Sequence, residues 1–221
     1  MVDEVVLLGF WPSSVGTRVK IALAEKGVEY PYREENLQDK SPLLLEMNPI
    51  HKKVPVLIHN GKPILESLII VQYIDEIWKN KAPLLPSDPF QRAQARFWAD
   101  YDDKKINHII LKRIILSSKG EEQEKAKKEF IEDLKVLERK LGDKSYFEGD
   151  NFGFVVVIFV PFYTWFDVVE TFGNLSIEAE CPKLIELVER CMQNESVAKS
   201  ILDSPKIYDY ILQMRKELGV D

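Results

Sequence analysis

Residues 54–67 read VPVLIHNGKPILES, and this stretch decides the fold of the first part of the chain. It holds a short apolar strand, Val54–Ile58, then the turn residues His59–Lys62 with an Asn-Gly pair at their centre, then a partner strand, Pro63–Leu65. An Asn-Gly pair between two apolar runs is the strongest short-range signal for a β-hairpin. The last two residues of the stretch open a helical pattern, so the sequence predicts a ββα unit here.

The residues before this hairpin alternate between strand and helix patterns. Glu4–Phe10 carries the uninterrupted apolar run of a buried strand, Gly16–Lys26 has helical spacing, and Glu29–Arg33 forms a second short strand. Ser41–Met47 is a short helix with a serine cap and a proline in its first turn. The order βαβ–α–ββα predicts an α/β domain that ends near residue 80.

A proline-rich linker and a purely helical region follow. Residues 81–89, KAPLLPSDP, contain three prolines, and residues 90–221 show helical periodicity without a convincing strand pair. The helical patterns cover Asp88–Ser118, Glu121–Leu141, Phe154–Phe172, Cys181–Gln193 and Pro205–Leu218. The expected organisation is an α/β domain at residues 1–80, a linker at 81–89 and an all-α domain at 90–221.

The composition is that of an ordinary soluble globular protein, with 221 residues, 45% of them hydrophobic and 30% charged. The net charge is −6, and an acidic chain without a basic tract is a poor nucleic-acid binder. Two cysteines are too few for a disulfide scaffold. The first residues lack the basic region of a signal peptide, and the longest apolar run, Phe152–Trp165, is shorter than a membrane span. We therefore expect a soluble protein of a reducing compartment, without a nucleic-acid or membrane partner.

Three short motifs carry residues suited to chemistry, and the first is Val54-Pro55. A proline cannot donate to a sheet ladder, so it is awkward at the start of a central strand. In a βαβ–ββα domain such a proline is often cis, and it then leaves the backbone of Val54 free to pair with an extended peptide ligand. An ordinary edge-strand proline explains the residue equally well.

The second motif is Trp11-Pro12-Ser13-Ser14, between the first strand and the first helix. A helix N-terminus favours an anion such as a thiolate, and a serine hydroxyl there can donate a hydrogen bond to sulfur. The simpler interpretation is that Ser13 or Ser14 only caps the helix. A redox protein of this architecture would need cysteine at this place, so thiol–disulfide chemistry by the chain itself is not expected.

The third motif, Glu66-Ser67, lies where the helix after the hairpin begins. The Ser67 hydroxyl and N–H could hold a carboxylate while Glu66 accepts from an ammonium, so the pair fits one end of a zwitterionic ligand. A plain helix cap is the alternative interpretation. Lys40, Lys52 and Lys53 could add positive charge for a second ligand carboxylate, although surface lysines are usually only solvated.

Other signatures of catalysis or metal binding are missing from the sequence. The histidines stand at no metal-ligand spacing from one another or from a cysteine, and the Gly-x-Ser-x-Gly, Gly-x-Gly-x-x-Gly and P-loop motifs do not occur. We interpret an acidic helix face as solvated and both cysteines as packing residues. The histidines are His51, His59 and His108, the acidic helix face carries Asp100, Asp102 and Asp103, and the cysteines are Cys181 and Cys191.

Several longer motifs, taken together, resemble the tau class of plant glutathione transferases. They are residues 10–13 (FWPS), 18–23 (RVKIAL), 48–57 (NPIHKKVPVL), 66–68 (ESL), 72–74 (QYI), 96–101 (RFWADY) and 160–165 (VPFYTW). At these spacings the combination is far more specific than any one motif, and the resemblance runs from about Asp3 to the C-terminus.

The resemblance implies the glutathione transferase fold, with an α/β thioredoxin-like N-terminal domain and an all-α C-terminal domain, in a cytosolic homodimer. It makes Ser13 the catalytic serine. The glutathione site that it implies consists of Lys40 and Lys53 for the glycine carboxylate, Val54 before a cis Pro55 for the cysteinyl backbone, Glu66 and Ser67 for the γ-glutamyl end, and Arg18 and Asp103 as a supporting polar network.

The resemblance also implies an electrophile site between the two domains. Its residues would be Phe10, Trp11, Pro12, Ser14, Asn107, Leu111, Ile115, Trp165, Tyr208 and Leu212. The expected activity is conjugation of the glutathione thiolate to hydrophobic electrophiles in xenobiotic detoxification, and the resemblance also allows glutathione-dependent hydroperoxide reduction. Glutathione would be a co-substrate, and no cofactor or metal is expected. A non-catalytic carrier of apolar metabolites or hormones is the alternative.

One segment departs from the pattern of that family. Where the family usually has an aspartate that completes a capping box at the start of a core helix, this chain has Val156, within the β-branched run Val155–Ile158. Such residues are weak helix formers, and a lost cap typically costs about 1 kcal/mol. The sequence therefore predicts a less stable or more slowly folding protein, but not an inactive one.

Overall fold

A computed structural model describes residues 4–79, 81, 83–107, 114–116 and 120–220, with every side chain in these ranges except that of Asn107. The chain divides into two compact units, Met1–Leu85 and Pro86–Asp221. The division falls inside the proline-rich segment 81–89, where the composition of the sequence changes.

The first unit is built on a mixed four-stranded sheet in the order β2-β1-β3-β4. Its strands are β1 (Val5–Gly9), β2 (Tyr32–Glu34), β3 (Val56–His59) and β4 (Lys62–Leu65). β1 pairs in parallel with β2 and antiparallel with β3, and β3 pairs antiparallel with β4. This small mixed sheet confirms the α/β domain predicted from the βαβ–α–ββα order and the thioredoxin-like class that the resemblance implied.

Three helices cover this sheet: α1 (Ser14–Lys26), α2 (Pro42–Met47) and α3 (Ser67–Ile77). Leu44 of α2 packs in a cluster with side chains of β1 and β3, among them Val6 and Leu8. Because side chains alternate along a strand, Val5 and Leu7 point to the opposite face, and both are buried. β1 is therefore covered on both faces, which explains its uninterrupted apolar run.

Two strands begin later than the sequence pattern indicated. β2 lies at Tyr32–Glu34 instead of Glu29–Arg33, because the first contact with β1 is the bond from the Leu7 N–H to the Pro31 carbonyl. β3 starts at Val56 instead of Val54, since Pro55 has no N–H to give to a ladder.

The second unit contains eight α-helices among its described residues, and no β-strand. They are α4 (Pro89–Asp102), α5 (Glu121–Leu141), α6 (Phe154–Phe159), α7 (Phe166–Gly173), α8 (Ile177–Glu180), α9 (Pro182–Met192), α10 (Glu195–Ser200) and α11 (Ser204–Leu218). The chain continues from α4 as a π-helical turn, Asp103–Asn107, and a 3₁₀ segment, Val160–Trp165, joins α6 to α7. This unit is the all-α part expected from the sequence.

The helical run Phe154–Gly173 is the most apolar part of the second unit. By length and composition its 20 residues would be enough to cross a membrane, so the expectation that the chain has no segment of that length is corrected. In the structure 78% of the most apolar window is buried. Core helices of soluble proteins pass the same test, and this burial identifies the run as the core of the helical unit.

The start of α6 has a hydrogen-bond acceptor that the sequence did not reveal. Glu148 Oε1 accepts from the Val155 N–H at 2.9 Å, although Gly153 at the cap position has no side chain to contribute. A Cβ at Gly153 would lie 3.0 Å from the Glu148 carboxylate, so the glycine leaves room for this contact. The expectation that α6 begins without a capping carboxylate is thereby corrected, since the acid comes from upstream and not from position 156.

Burial gives Glu148 an unusual ionisation. It raises the pKa of the carboxyl group from 4.5 to about 7, while the Val155 N–H bond and the charge of Lys140 act in the opposite direction. Oε2 is buried and has no hydrogen-bond partner among the residues described. Because the pKa is higher in the folded state, the stability that this group contributes is fully present below about pH 4.5 and is lost as the pH rises through 7.

We predict that Glu148→Gln gains stability relative to the wild type as the pH rises from about 4.5 to 7, by up to about 1.4 kcal/mol per pH unit. The glutamine keeps an oxygen for the Val155 N–H but carries no charge to be buried. Urea unfolding of both proteins at a series of pH values measures the difference. Asp150→Asn, which neutralises an exposed acid in the same loop, is the control. A pH-independent difference for Glu148→Gln would contradict the prediction.

Candidate active site

Ser13 ends the turn that joins β1 to α1, and its contacts fix its position. The Ser13 N–H donates to the Phe10 carbonyl at 3.0 Å, Oγ accepts from the Gly16 N–H at 3.1 Å, and the Ser13 carbonyl accepts from the Thr17 N–H. Ser13 is therefore the N-cap of α1, as the simpler interpretation of the motif had it. Because the cap uses Oγ only as an acceptor, the hydroxyl hydrogen can still be donated to a ligand.

The N-terminus of α1 suits a negatively charged group. The helix has 13 residues and no acidic side chain in its first turn, so its dipole is not compensated there. Backbone N–H groups and a hydroxyl donor meet at this point, which is the arrangement that anions bind.

The peptide bond between Val54 and Pro55 is cis, as the sequence suggested. Within the described ranges, neither the N–H nor the C=O of Val54 has a hydrogen-bond partner. β1 and β3 are antiparallel with Leu8 opposite Val56, so the chain leaving β1 runs beside the chain entering β3. The Ser13 turn and the Val54 backbone therefore lie at the same edge of the sheet.

Asn48 organises the loop that leads to Val54, and the sequence analysis had given it no role. Its Nδ2 donates to the Lys53 carbonyl at 2.9 Å and its Oδ1 accepts from the His51 N–H at 3.1 Å. The side chain is buried, with the residue only 2% exposed. The one available signal was its place before a proline, where asparagine often organises a turn.

Glu66 and Ser67 differ in their surroundings although they are adjacent. Glu66 has a φ of +67°, an uncommon backbone conformation for a residue other than glycine, and its side chain is 58% exposed with no capping bond. Ser67 is buried, and the fully buried Arg18 donates from Nη1 to Ser67 Oγ at 3.1 Å. The exposed carboxylate can accept from a ligand ammonium, and the Ser67 hydroxyl hydrogen can be donated to a ligand carboxylate.

The lysines and Asp103 have less defined surroundings. Lys40 is half-buried and Lys53 is exposed. The loop before α2 that carries Lys40 is held by the buried Glu35, which accepts from both the N–H and the hydroxyl of Ser41. Asp103 lies in the π-helical turn after α4. The roles of these three residues in binding stay predictions.

The predicted electrophile residues are distributed over both units. In the first unit Phe10 and Trp11 are half-buried, whereas Pro12 and Ser14 are buried. In the second unit Ile115 and Trp165 are buried, and Tyr208 and Leu212 are half-buried on α11. Leu111 and the side chain of Asn107 lie outside the described residues.

A cavity of about 320 Å³ in the helical unit is lined by one of the predicted electrophile residues. Leu212 lines it, with Phe172 and Arg215. The Tyr208 ring stacks on the Phe172 ring, with 5.8 Å between the ring centres. The Arg215 guanidinium lies 4.4 Å from the centre of the Phe172 ring and donates to the Ile115 carbonyl. Sequence reasoning missed Arg215, because a cation near a helix C-terminus usually reads as a surface residue.

The described residues contain no group of three or more His, Cys, Asp or Glu side chains that could hold a metal ion. His59 Nδ1 forms a hydrogen bond of 2.7 Å with the Tyr73 hydroxyl. His108 lies outside the described residues. Cys181 and Cys191 are buried free thiols, and burial raises the pKa of each to about 12. Neither thiol is suited to nucleophilic or redox chemistry near neutral pH.

Comparison with known proteins identifies the family. The model of the glutathione S-transferase N-terminal domain matches residues 3–76, and that of the C-terminal domain matches residues 99–195. The chain is 60% identical to the probable glutathione S-transferase parC of Nicotiana tabacum over 99% of both chains. It is 59% identical to glutathione S-transferase U25 of Arabidopsis thaliana, over all of this chain and 99% of that protein.

Solved structures agree with these matches. The crystal structure of rice GST1 (OsGSTU1) in complex with glutathione superposes with a TM-score of 0.94, at 44% identity over 99% of both chains. The tau-class glutathione S-transferase of mango, Mangifera indica, gives a TM-score of 0.89 at 38% identity, over 96% of this chain and 98% of that one. The chain belongs to the glutathione S-transferase family. Within that family it is a member of the tau class.

We predict that Asn48→Ala raises the KM for glutathione severalfold and changes kcat little. Removing a buried side chain that holds two backbone groups frees the loop that carries Lys53 and Val54, and such a loss typically costs about 1–3 kcal/mol. Steady-state kinetics with glutathione as the varied substrate measure the effect. Asn194→Ala, which removes an asparagine cap in the helical unit, is the matched control. Equal KM values for both variants and the wild type would refute this role of Asn48.

Proposed function

We propose that this chain joins the thiolate of reduced glutathione to hydrophobic electrophiles, with Ser13 activating the thiol. The observation that carries the proposal is the Ser13 hydroxyl, whose oxygen caps α1 while its hydrogen can be donated. It lies at the sheet edge where the Val54 backbone has no partner among the residues that the structure describes. The names of the curated relatives and the glutathione complex of the rice protein support it.

Glutathione would bind as an extended peptide along this edge. The Val54 backbone would pair with its cysteinyl residue, and Glu66 and Ser67 would hold the γ-glutamyl ammonium and carboxylate. Lys40 and Lys53 would neutralise the glycine carboxylate. Arg18 supports this arrangement through its bond to Ser67, and we assign Asp103 to the same polar network.

The physical task of Ser13 is to stabilise a thiolate. A free thiol has a pKa of about 8.5, so only a few per cent is ionised at neutral pH. Lowering the pKa by about two units requires roughly 2.7 kcal/mol. A hydrogen bond to a charged group contributes about 1.5–3 kcal/mol and a helix N-terminus about 0.3–1 kcal/mol, so together they suffice.

The electrophile would be held by apolar side chains of the predicted site, which in the helical unit include Trp165, Tyr208 and Leu212. The Trp165 indole N–H is buried without an acceptor among the described residues. Proximity of the two reactants then supplies much of the acceleration. A hydroperoxide oxygen is a second electrophile of suitable chemistry. The carrier alternative is not favoured, since the catalytic serine and its helix are intact.

We predict that Ser13→Ala lowers kcat/KM for an activated aryl chloride at least about tenfold, which is about 1.4 kcal/mol of transition-state stabilisation. Since alanine also removes the cap of α1, Ser13→Gly is the second variant, because glycine at an N-cap costs only a few tenths of a kcal/mol. Both variants should lose the same activity if the hydroxyl matters. Ser176→Ala, which removes only the serine cap of α8, should retain it. A wild type without measurable conjugation would refute the proposed function.

We also propose that the protein is a homodimer. Phe90 and Phe97 of α4 are 71% and 55% exposed, and a spacing of seven residues places them on one helix face. Ile69 and Ile77 of α3 are exposed at a similar spacing. Apolar stripes of this kind on a soluble protein usually mark an interaction surface, and most soluble oligomers are symmetric dimers.

We predict that Phe97→Asp shifts the protein from dimer to monomer, because a carboxylate would have to be desolvated at an apolar interface. Sedimentation velocity at several protein concentrations measures the shift. Leu218→Asp is the matched control, since Leu218 is an equally exposed apolar residue on α11 outside these stripes. A monomeric wild type, or a dimer that survives Phe97→Asp unchanged, would contradict the prediction.

A cytosolic location is also part of the proposal. Both cysteines are buried free thiols, which suits a reducing compartment.

A further inference from the structure

We infer that Glu34 is a positioning residue for Ser13, because its carboxylate fixes the turn that carries the catalytic hydroxyl. The inference rests on the proposed function, since it assigns a role in thiol activation. Glu34 is the last residue of β2 and is exposed. Its position in the sequence, 21 residues after Ser13, gave no sign of a contact with the turn.

The turn between β1 and α1 is held by hydrogen bonds at each of its steps. The Gly9 carbonyl accepts from the Glu35 N–H at 2.8 Å, and the Trp11 N–H donates to Glu34 Oε1 at 2.9 Å. The turn closes with the bond from the Ser13 N–H to the Phe10 carbonyl. Phe10–Ser13 is therefore a hydrogen-bonded turn, and Glu34 supplies a side-chain contact that ties this turn to β2.

The second oxygen of Glu34 is also engaged. The Tyr32 hydroxyl donates to Glu34 Oε2 at 2.9 Å, and the ammonium of Lys20 lies 4.2 Å from the centre of the Tyr32 ring. Tyr32 packs closely on the end of β1, because a Cβ added at Gly9 would lie 2.7 Å from Tyr32 Cε2. The absence of a side chain at Gly9 lets Tyr32 approach, and Tyr32 in turn orients the carboxylate toward the Trp11 N–H.

The sheet register explains why this contact bears on the chemistry. Gly9 lies opposite Glu34 on one side of β1, while Leu8 lies opposite Val56 on the other. The Ser13 turn thus has Glu34 on one flank and the Val54 segment on the other. In the proposed complex the Val54 backbone sets the position of the cysteinyl sulfur relative to β1. Glu34 sets the position of the Ser13 turn, and so of the Ser13 hydroxyl, relative to the same strand. A hydrogen bond weakens steeply when its geometry is lost, so freedom of the turn would weaken the bond to the thiolate.

The test is the pKa of the glutathione thiol in the binary complex, followed by thiolate absorbance against pH, for Glu34→Ala, Glu34→Gln and Tyr32→Phe. We expect Glu34→Ala to raise that pKa and to lower kcat/KM at neutral pH about fivefold to tenfold, with recovery at high pH, where the thiol ionises unaided. The glutathione KM should change less than about twofold, since no binding contact is removed. Glu34→Gln keeps an acceptor for the Trp11 N–H and should retain most of the activity. Tyr32→Phe should give a thiol pKa and a kcat/KM between those of Glu34→Ala and Glu34→Gln.

A double-mutant cycle separates positioning from a general effect on stability. If Glu34 acts through Ser13, then Glu34→Ala should change the thiol pKa much less in a Ser13→Ala background than in the wild type. Glu4→Ala is the matched control, because Glu4 is an exposed acid at the other end of β1, and none of the described residues bonds to its carboxylate. It should leave the pKa and the rate unchanged.

Two results would overturn the inference. One is a Glu34→Ala protein that melts at a lower temperature but has the thiol pKa of the wild type, which would make Glu34 a structural residue only. The other is an equal pKa shift in the presence and absence of the Ser13 hydroxyl. Both leave the proposed function standing, whereas a wild type that neither lowers the thiol pKa nor conjugates glutathione would remove that function itself.

Discussion

The antiparallel pairing of β1 with β3 is the constraint on which the candidate site depends. It places Leu8 opposite Val56, so the segment after β1 and the segment before β3 emerge side by side. One segment carries a hydroxyl at a helix N-terminus, and the other carries a backbone that is unpaired within the described residues. A peptide with a thiol in its middle residue can meet both at once, so the site needs no special element beyond this pairing and the two connections that follow from it.

The remaining contacts of the first unit keep these two segments rigid. Asn48 holds the loop before Val54, Glu35 holds the loop before α2, and Arg18 holds Ser67 at the start of α3. A buried ion pair of Lys26 with Asp75, 2.7 Å apart, lies at the end of α1, and Asp75 also accepts from the N–H groups of Leu84 and Leu85. Each of these polar groups has a hydrogen-bond partner or an opposite charge, which offsets the cost of its burial. Because the site is already ordered, less of the binding free energy is needed to order it, and more can stabilise the thiolate.

The sequence was sufficient for features that depend on local pattern. The order of strands and helices in the first unit, the hairpin at Asn60-Gly61, and the cap at Ser13 follow from periodicity and turn chemistry, and the structure has all of them. In the second unit periodicity predicted the helical class but not every helix, since α4 ends at Asp102 within the predicted Asp88–Ser118 and the short helices α8 and α10 were not predicted. It was insufficient wherever a side chain bonds to backbone far along the chain. Glu34 reaches Trp11 across 23 residues, and Glu148 reaches the start of α6 from an irregular loop. No spacing rule connects such pairs, because the distance is set by the folded sheet or loop and not by the period of one element.

The choice of serine at position 13 follows from the same geometry. The capping bond uses the oxygen of the hydroxyl and leaves its hydrogen to be donated, so in the proposed complex one small side chain would both begin the helix and stabilise the thiolate beside it. A cysteine there would be ionised by the helix and would attack disulfides itself, which is redox chemistry. The chain instead keeps its own two thiols buried and protonated. The reactive sulfur therefore has to belong to the bound substrate and not to the protein. This difference distinguishes a transferase from a thiol oxidoreductase of the same fold.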